Sequence, residues 1–178
     1  MHRSIAELET MVDGILSAPT DTGPIEMIVR RPAEGDREVI ESAELSTEHG
    51  LVGDNWIDRV DENGEPYRPA QLTLMNSRAA DAVAIDRDRW PLAGDQIYVD
   101  LDISHENLPA GARIQVGNAV VEISDVPHTG CDKFASRFGK EALRFANVGL
   151  GKENRFRGVN AFVVESGSFR VGDKITKL

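Results

Sequence analysis

Arg113-Ile114-Gln115-Val116-Gly117-Asn118-Ala119-Val120-Val121-Glu122-Ile123 reads as two short strands joined by a Gly-Asn turn. Gly117 tolerates positive φ, and Asn118 offers a side chain that bonds its own turn. The pattern of glycine, short strand and Gly-Asn or Gly-Asp turn runs from Gly111 to Asn118 and again from Gly167 to Lys174. Gly94-Asp95 and Gly53-Asp54 are two further turns of this kind. Closing hairpins and corners accounts for Gly94, Gly117 and Gly172. Working outward, residues 25–30 and 38–45 read as strands around a turn at 32–36, and 71–75 and 96–101 read as two more. The last third adds strands at 158–164, 168–171 and 174–176. Asn76 can cap a short helix through Ile85, and residues 134–146 form a helical run. Many short strands, Gly-containing turns and few helices predict a β-barrel or folded sheet. The missing βαβ alternation disfavours a doubly wound fold.

The N-terminal stretch is different. Ser4-Ile5-Ala6-Glu7 has the form of a capping box, and Ile5, Leu8, Val12 and Ile15 recur at helical spacing. Residues 1–18 are expected to form an appended helix, with a linker through residue 23 and the barrel domain over 24–178. The apolar stripe of the helix is expected to pack on the domain or on a second subunit.

Composition narrows the function. A chain of 178 residues, 40% hydrophobic and 28% charged, supplies one packed domain. Thirty acids against twenty Lys and Arg give a formal charge of −10. That surface repels nucleic acid and anionic lipid, and no basic arm offsets it, so neither is an expected partner. No long apolar run opens the chain, so neither a signal peptide nor a membrane span is expected. The single cysteine excludes an intrachain disulfide and a zinc site of several thiolates, and it suits a reducing cytoplasm.

That cysteine, Cys131, stands between the strand at 119–123 and the helical run, in Val126-Pro127-His128-Thr129-Gly130-Cys131-Asp132-Lys133-Phe134. A thiol at a helix start lies close to free N–H groups, which favour the thiolate that attacks sulfur or binds a metal. His128 and Lys133 add positive potential and Asp132 opposes it. The other reading makes Cys131 a small buried hydrophobe.

An ordered set of motifs resembles the MOSC domain, the module named after the C-terminal part of molybdenum-cofactor sulfurases. The set comprises Gly50-Leu51-Val52-Gly53-Asp54, Gln71-Leu72-Thr73-Leu74-Met75-Asn76, Ala93-Gly94-Asp95-Gln96-Ile97, Leu108-Pro109-Ala110-Gly111 and Ile114-Gln115-Val116-Gly117. It continues with Gly130-Cys131-Asp132-Lys133-Phe134, Arg157-Gly158 and Val171-Gly172-Asp173, so that the likeness spans about Glu26 to Lys177. The resemblance implies a mainly β fold, likened to the pyruvate kinase β-barrel domain, with a few peripheral helices. It implies that Cys131 carries sulfur as a persulfide or binds the molybdenum of a molybdopterin, with a sulfur-donor enzyme or molybdoenzyme as partner. With a bound cofactor, the implied reaction is reduction of an N-hydroxylated compound. Pyridoxal-phosphate chemistry belongs to a separate domain of full sulfurases and is not expected. Gly130 departs from a family pattern that places proline before the cysteine.

A molybdopterin pocket needs donors for a phosphate and a polar ring. Arg155 and Arg157 flank Phe156, and in an extended segment both point to one side. They suit phosphate oxygens, or else pair with surface acids. Arg137, early in the helical run, can point back to the same pocket, and Asn160 can bond a pterin. His128 and Lys133 are candidate catalytic partners of Cys131. Trp56 either stacks on a ligand or covers a barrel end. His49, His105 and His2 match no metal-ligand spacing. The alternative to chemistry at Cys131 is a binding module on the same barrel, with the cysteine buried and inert.

Overall fold

The computed structural model describes residues 2–178. The strands are β1 (Thr22–Arg30), β2 (Glu38–Ile40), β3 (Ser42–Ser46), β4 (Gly50–Leu51), β5 (Leu72–Asn76) and β6 (Ile97–Val99). They continue with β7 (Arg113–Val116), β8 (Ala119–Ile123), β9 (Val159–Glu165), β10 (Gly167–Arg170) and β11 (Lys174–Lys177). The helices are α1 (Ile5–Glu9), α2 (Val12–Leu16), α3 (Ser77–Ala84), α4 (Asp132–Phe138), α5 (Lys140–Asn147) and α6 (Leu150–Glu153). Strands run in the order β11-β7-β8-β9-β5-β6-β1-β2, and β11 also pairs with β1, which closes seven of them into a barrel. All neighbours are antiparallel except β5 and β6. A second sheet, β10-β3-β4, contributes Leu45, Leu51 and Phe169 to the barrel interior.

Both faces of the central strands are buried, because helices cover the outside. In β6, Ile97 and Val99 face the interior with Leu72, Leu74 and Val163, whereas Tyr98 joins the outer layer. Tyr98, Met27 and Met75 there meet Trp90, Phe134 and Phe138. Leu8 and Ile15 are buried in this outer layer, so the N-terminal stripe packs on the domain.

Several expectations are corrected. The N-terminal helix is two short ones, and β1 begins at Thr22, inside the segment read as linker. The strand read over 38–45 breaks at Glu41, so β2 extends the barrel sheet while β3 joins the second one. The helical run after Cys131 breaks at Gly139, whose φ of 94° is open to glycine and strained for other residues. The repeated Gly-strand-turn motif also does two jobs. β7 and β8 form a hairpin across Gly117-Asn118, but β10 and β11 lie in different sheets, so Gly172-Asp173 turns a corner.

A 3-10 helix at Arg87–Ala93 was not anticipated. Its end is held by four arginines on four consecutive carbonyls. Arg37 Nε donates to Pro91 O (3.2 Å), Arg137 Nη1 to Leu92 O (2.7 Å), Arg157 Nη2 to Ala93 O (2.8 Å) and Arg31 Nη1 to Gly94 O (2.9 Å). Orphan carbonyls at a helix C-terminus carry partial negative charge, which suits cationic donors. This junction fixes the turn that carries Asp95.

Candidate functional site

The loop from β8 to Cys131 is tethered by side chains from three other elements. Asn160 on β9 donates Nδ2 to Val126 O (3.1 Å) and Pro127 O (3.2 Å). His128 Nε2 bonds Asp95 Oδ1 (2.8 Å). Asn147, the last residue of α5, clamps Gly130 twice: Gly130 N donates to Oδ1 (2.9 Å) and Nδ2 donates to Gly130 O (3.0 Å). This explains the departure at Gly130. Proline there has no N–H for Asn147, and a Cβ would stand 2.6 Å from Leu143 Cδ1.

Cys131 occupies the N-cap position of α4 and is exposed. Its sulfur closes no capping hydrogen bond. The backbone N–H of Phe134 nevertheless lowers the thiol pKa, and that of Lys133 and the charge of Arg157 add to the effect. Partial burial and Asp132 work the other way without reversing it. The Lys133 side chain reaches out to Glu34 Oε1 (2.9 Å) in an exposed pair, so this residue acts on the thiol through its backbone. An exposed thiol does not match the buried, inert reading.

Beside it lies a buried charge cluster. Asp95 is fully buried, accepting from Arg157 Nη1 on Oδ2 (2.6 Å) and from His128 on Oδ1. Burial works to raise its pKa, but Arg157 and then His128 overcome that and hold the carboxyl at about 2. His128 is held below its ordinary value by burial and then by Arg157, against the pull of Asp95. At neutral pH this is an ionised Asp95 accepting from a neutral imidazole, which assigns the proton to Nε2. Gly158 makes the arrangement possible. A Cβ there would lie 2.5 Å from Leu74 O, 3.1 Å from His128 and 3.2 Å from Asp95 Oδ1. Arg157 also stacks over Phe134, 5.0 Å from the ring centroid, and its buried Nε has no partner among the described residues.

A cleft of about 480 Å³ runs from Thr129 and Asn147 past His128 and Arg157 to Arg155 and Lys152. Cys131 lies just beyond Gly130, outside the lining itself. Arg155 and Arg157 both reach the cleft, but not as a parallel pair. Residues 154–157 form turns, and Arg155 has a φ of 52°. Arg155 Nη1 turns to the carbonyls of Leu108 (2.5 Å), Ile103 (3.2 Å) and Ser104 (3.5 Å), while Arg157 turns to Asp95 and Ala93. Arg137 is not brought to the cleft. It sits in the last turn of α4 and holds Leu92 O. Asn160 spends its amide nitrogen on the loop. Trp56 is buried, its Nε1 donating to Tyr67 O (3.1 Å), so it belongs to the packing.

Asp95 and Asn147 went unnoticed as site residues. Asp95 stands in a Gly-Asp turn that is also one of the resembling motifs, but neither reading gives its carboxylate a role, and nothing in sequence marks the terminal asparagine of a helix as a clamp. Among the described residues no group of three or more His, Cys, Asp or Glu could hold a metal ion, and no helix is long and apolar enough to cross a membrane.

No family model matches the chain, and no curated protein matches it in sequence. Solved structures do match in fold. The YuaD protein from Bacillus subtilis superposes with a TM-score of 0.63 at 15% identity, over 86% of this chain and 94% of that one. YiiM from Escherichia coli gives 0.56 at 18% identity, over 88% of this chain and 69% of that one. YiiM from Geobacillus stearothermophilus gives 0.53 at 14% identity, over 90% and 74%. With the closed barrel, the peripheral helices and the ordered motifs, these likenesses give the chain the fold of the stand-alone MOSC-domain proteins.

Proposed function

We propose that the protein handles sulfur, or ligates the molybdenum of a pterin cofactor, through Cys131. The observation that carries this reading is an exposed thiol of lowered pKa at the start of α4, beside a cleft with cationic walls. In sulfur transfer, the Cys131 thiolate attacks the outer sulfur of a donor enzyme's persulfide. A new S–S bond forms at Cys131, the donor's S–S bond breaks, and the electron pair leaves with the donor thiolate. A sulfur-donor enzyme is the partner this step requires, and a reducing compartment such as the cytoplasm keeps the thiol available.

The residues also fit a molybdopterin. Cys131 would be the single protein ligand to the metal, a soft thiolate suited to it, and the cleft's cations would face the anionic end. When bound, that group would supply redox chemistry for reducing N-hydroxylated compounds. The chain's own part is then to present the thiolate, hold the loop with Asn147 and Asn160, and keep His128 neutral beside Asp95.

The test is the iodoacetamide alkylation rate of the native protein against pH, with mass spectrometry and metal analysis of protein from its native host. The expected midpoint lies below that of free cysteine, with a persulfide adduct or bound molybdenum on Cys131. A thiol that alkylates no faster than free cysteine near pH 7 would overturn the reading and leave the barrel as a binding module.

A further inference from the structure

The cleft's two arginines differ in what balances them. Arg157 is neutralised by Asp95. Arg155 is only 8% exposed, yet it forms no ion pair among the described residues. Its Nη1 is spent on three backbone carbonyls, whereas Nε and Nη2 make no hydrogen bond and are not sealed off as the Nε of Arg157 is. A buried guanidinium without a counter-charge is costly. Its backbone is strained as well, since a φ of 52° is rare outside glycine and asparagine. Strain and unbalanced charge fall on one residue, and that residue lines the cleft. Two other basic groups line the same region. Lys152 on α6 is exposed and unpaired among the described residues. His105 is tied to α6 through its N–H on Glu153 O (3.5 Å). The one carboxylate of the cleft lining is Asp125. This local reversal of sign stands out in a chain of formal charge −10.

We propose that Arg155, Lys152 and His105 form a binding site for the phosphate group of a small molecule. The free edge of Arg155 supplies a planar fork to phosphate oxygens, and Lys152, whose carbonyl accepts from Arg155 N (3.3 Å) in the same turn, adds a point charge. Three basic groups suit a dianion better than a carboxylate. Val126, Pro127 and Val159 wall the cleft beyond and suit an apolar or planar body, which would extend toward Thr129 and the cysteine. The site deepens the thiol reading and rests on it only for what happens at the ligand's other end. Burial, Arg155 and Lys152 hold His105 below its ordinary pKa, so a bound phosphate would draw a proton onto it.

The test is calorimetric titration of the full chain with inorganic phosphate at pH 7, repeated in buffers of different ionisation enthalpy. Wild type is expected to bind phosphate with proton uptake. Lys152→Ala is expected to weaken binding by about tenfold, and His105→Ala to abolish the proton uptake. Both residues are exposed, so neither change threatens the fold. Arg155→Gln should abolish binding, and a melting curve shows whether the 103–108 loop survives it. Lys174→Ala on β11 makes the same charge change far from the cleft and should bind as wild type does. Absence of phosphate binding in wild type, or an equal loss in Lys174→Ala and Lys152→Ala, would overturn the site. Cys131→Ser should bind phosphate normally. An inert thiol with intact phosphate binding therefore sinks the thiol reading alone, and a reactive thiol without phosphate binding sinks this one alone.

Discussion

Arg155 and Arg157 are two residues apart, equally buried, and lie in one cleft, yet they are opposite solutions to burying a cation. Arg157 has a carboxylate at 2.6 Å, a carbonyl and an aromatic face, so its charge is consumed inside the protein. Arg155 has three carbonyl oxygens and no carboxylate, so its charge is left over. Burial does not separate a structural arginine from a binding one. Charge balance does.

Breaking the balanced member should cost most. Asp95→Asn strands Arg157 without its counter-charge, and about 3–5 kcal/mol of stability should go with it. In a chain of this size the melting temperature should drop by about 10 °C. A melting temperature within error of wild type would show that Arg157 is not held as a buried ion. The same variant sharpens the comparison through pH. Asp95 titrates at about 2 in the fold against 3.8 ordinarily, so its stabilisation is complete above the ordinary value and is lost as pH falls through about 2. His128, held below its ordinary 6.5, adds a loss that begins as pH falls below that value. The His128 loss falls on both proteins, so the stability gap between wild type and Asp95→Asn, measured by urea unfolding, should narrow only as pH falls from about 3.8 toward about 2.

Breaking the unbalanced member should cost less. Arg155→Met removes three carbonyl contacts but strands no opposite charge, and a loss of about 2 kcal/mol is expected in the same unfolding experiment. A loss as large as that of Asp95→Asn would abolish the distinction between the two. Asn147→Ala frees Gly130 and should cost about 1 kcal/mol while shifting the alkylation midpoint of Cys131 upward, a change that a merely structural asparagine would not produce. Cys131→Ser is the smallest. Its side chain is exposed, so stability should stay within about 0.5 kcal/mol while alkylation disappears.

The barrel was legible because its strands announce themselves by short apolar runs between Gly-containing turns, and nine such runs need no tertiary information to be seen. The break at Gly139 also carried a signal, a glycine inside a helical run, and reading through it misplaced Arg137. Other features left no trace. Positive φ at Arg155 is invisible because that conformation is normally marked by glycine, and the expectation of a parallel arginine pair assumed an extended segment. The split at Glu41 depends on which sheet offers a partner, and that is decided by distant strands. Asp95 reads as one more Gly-Asp turn until the chain folds and brings Arg157 and His128 to it. The exposed thiol sits between these cases. Its place before a helix was readable, but its exposure was not.

The four arginines on Pro91–Gly94 have a consequence for folding order. Two come from the first forty residues and two from beyond residue 136, so the junction cannot close until both ends of the chain have docked on the middle. Contacts of such long sequence separation form late. Arg157, which helps to lower the thiol pKa, is one of the four. A partly folded chain with α4 formed would already have the backbone N–H groups of Phe134 and Lys133 at the thiol, and the share from Arg157 would come only with the final closure.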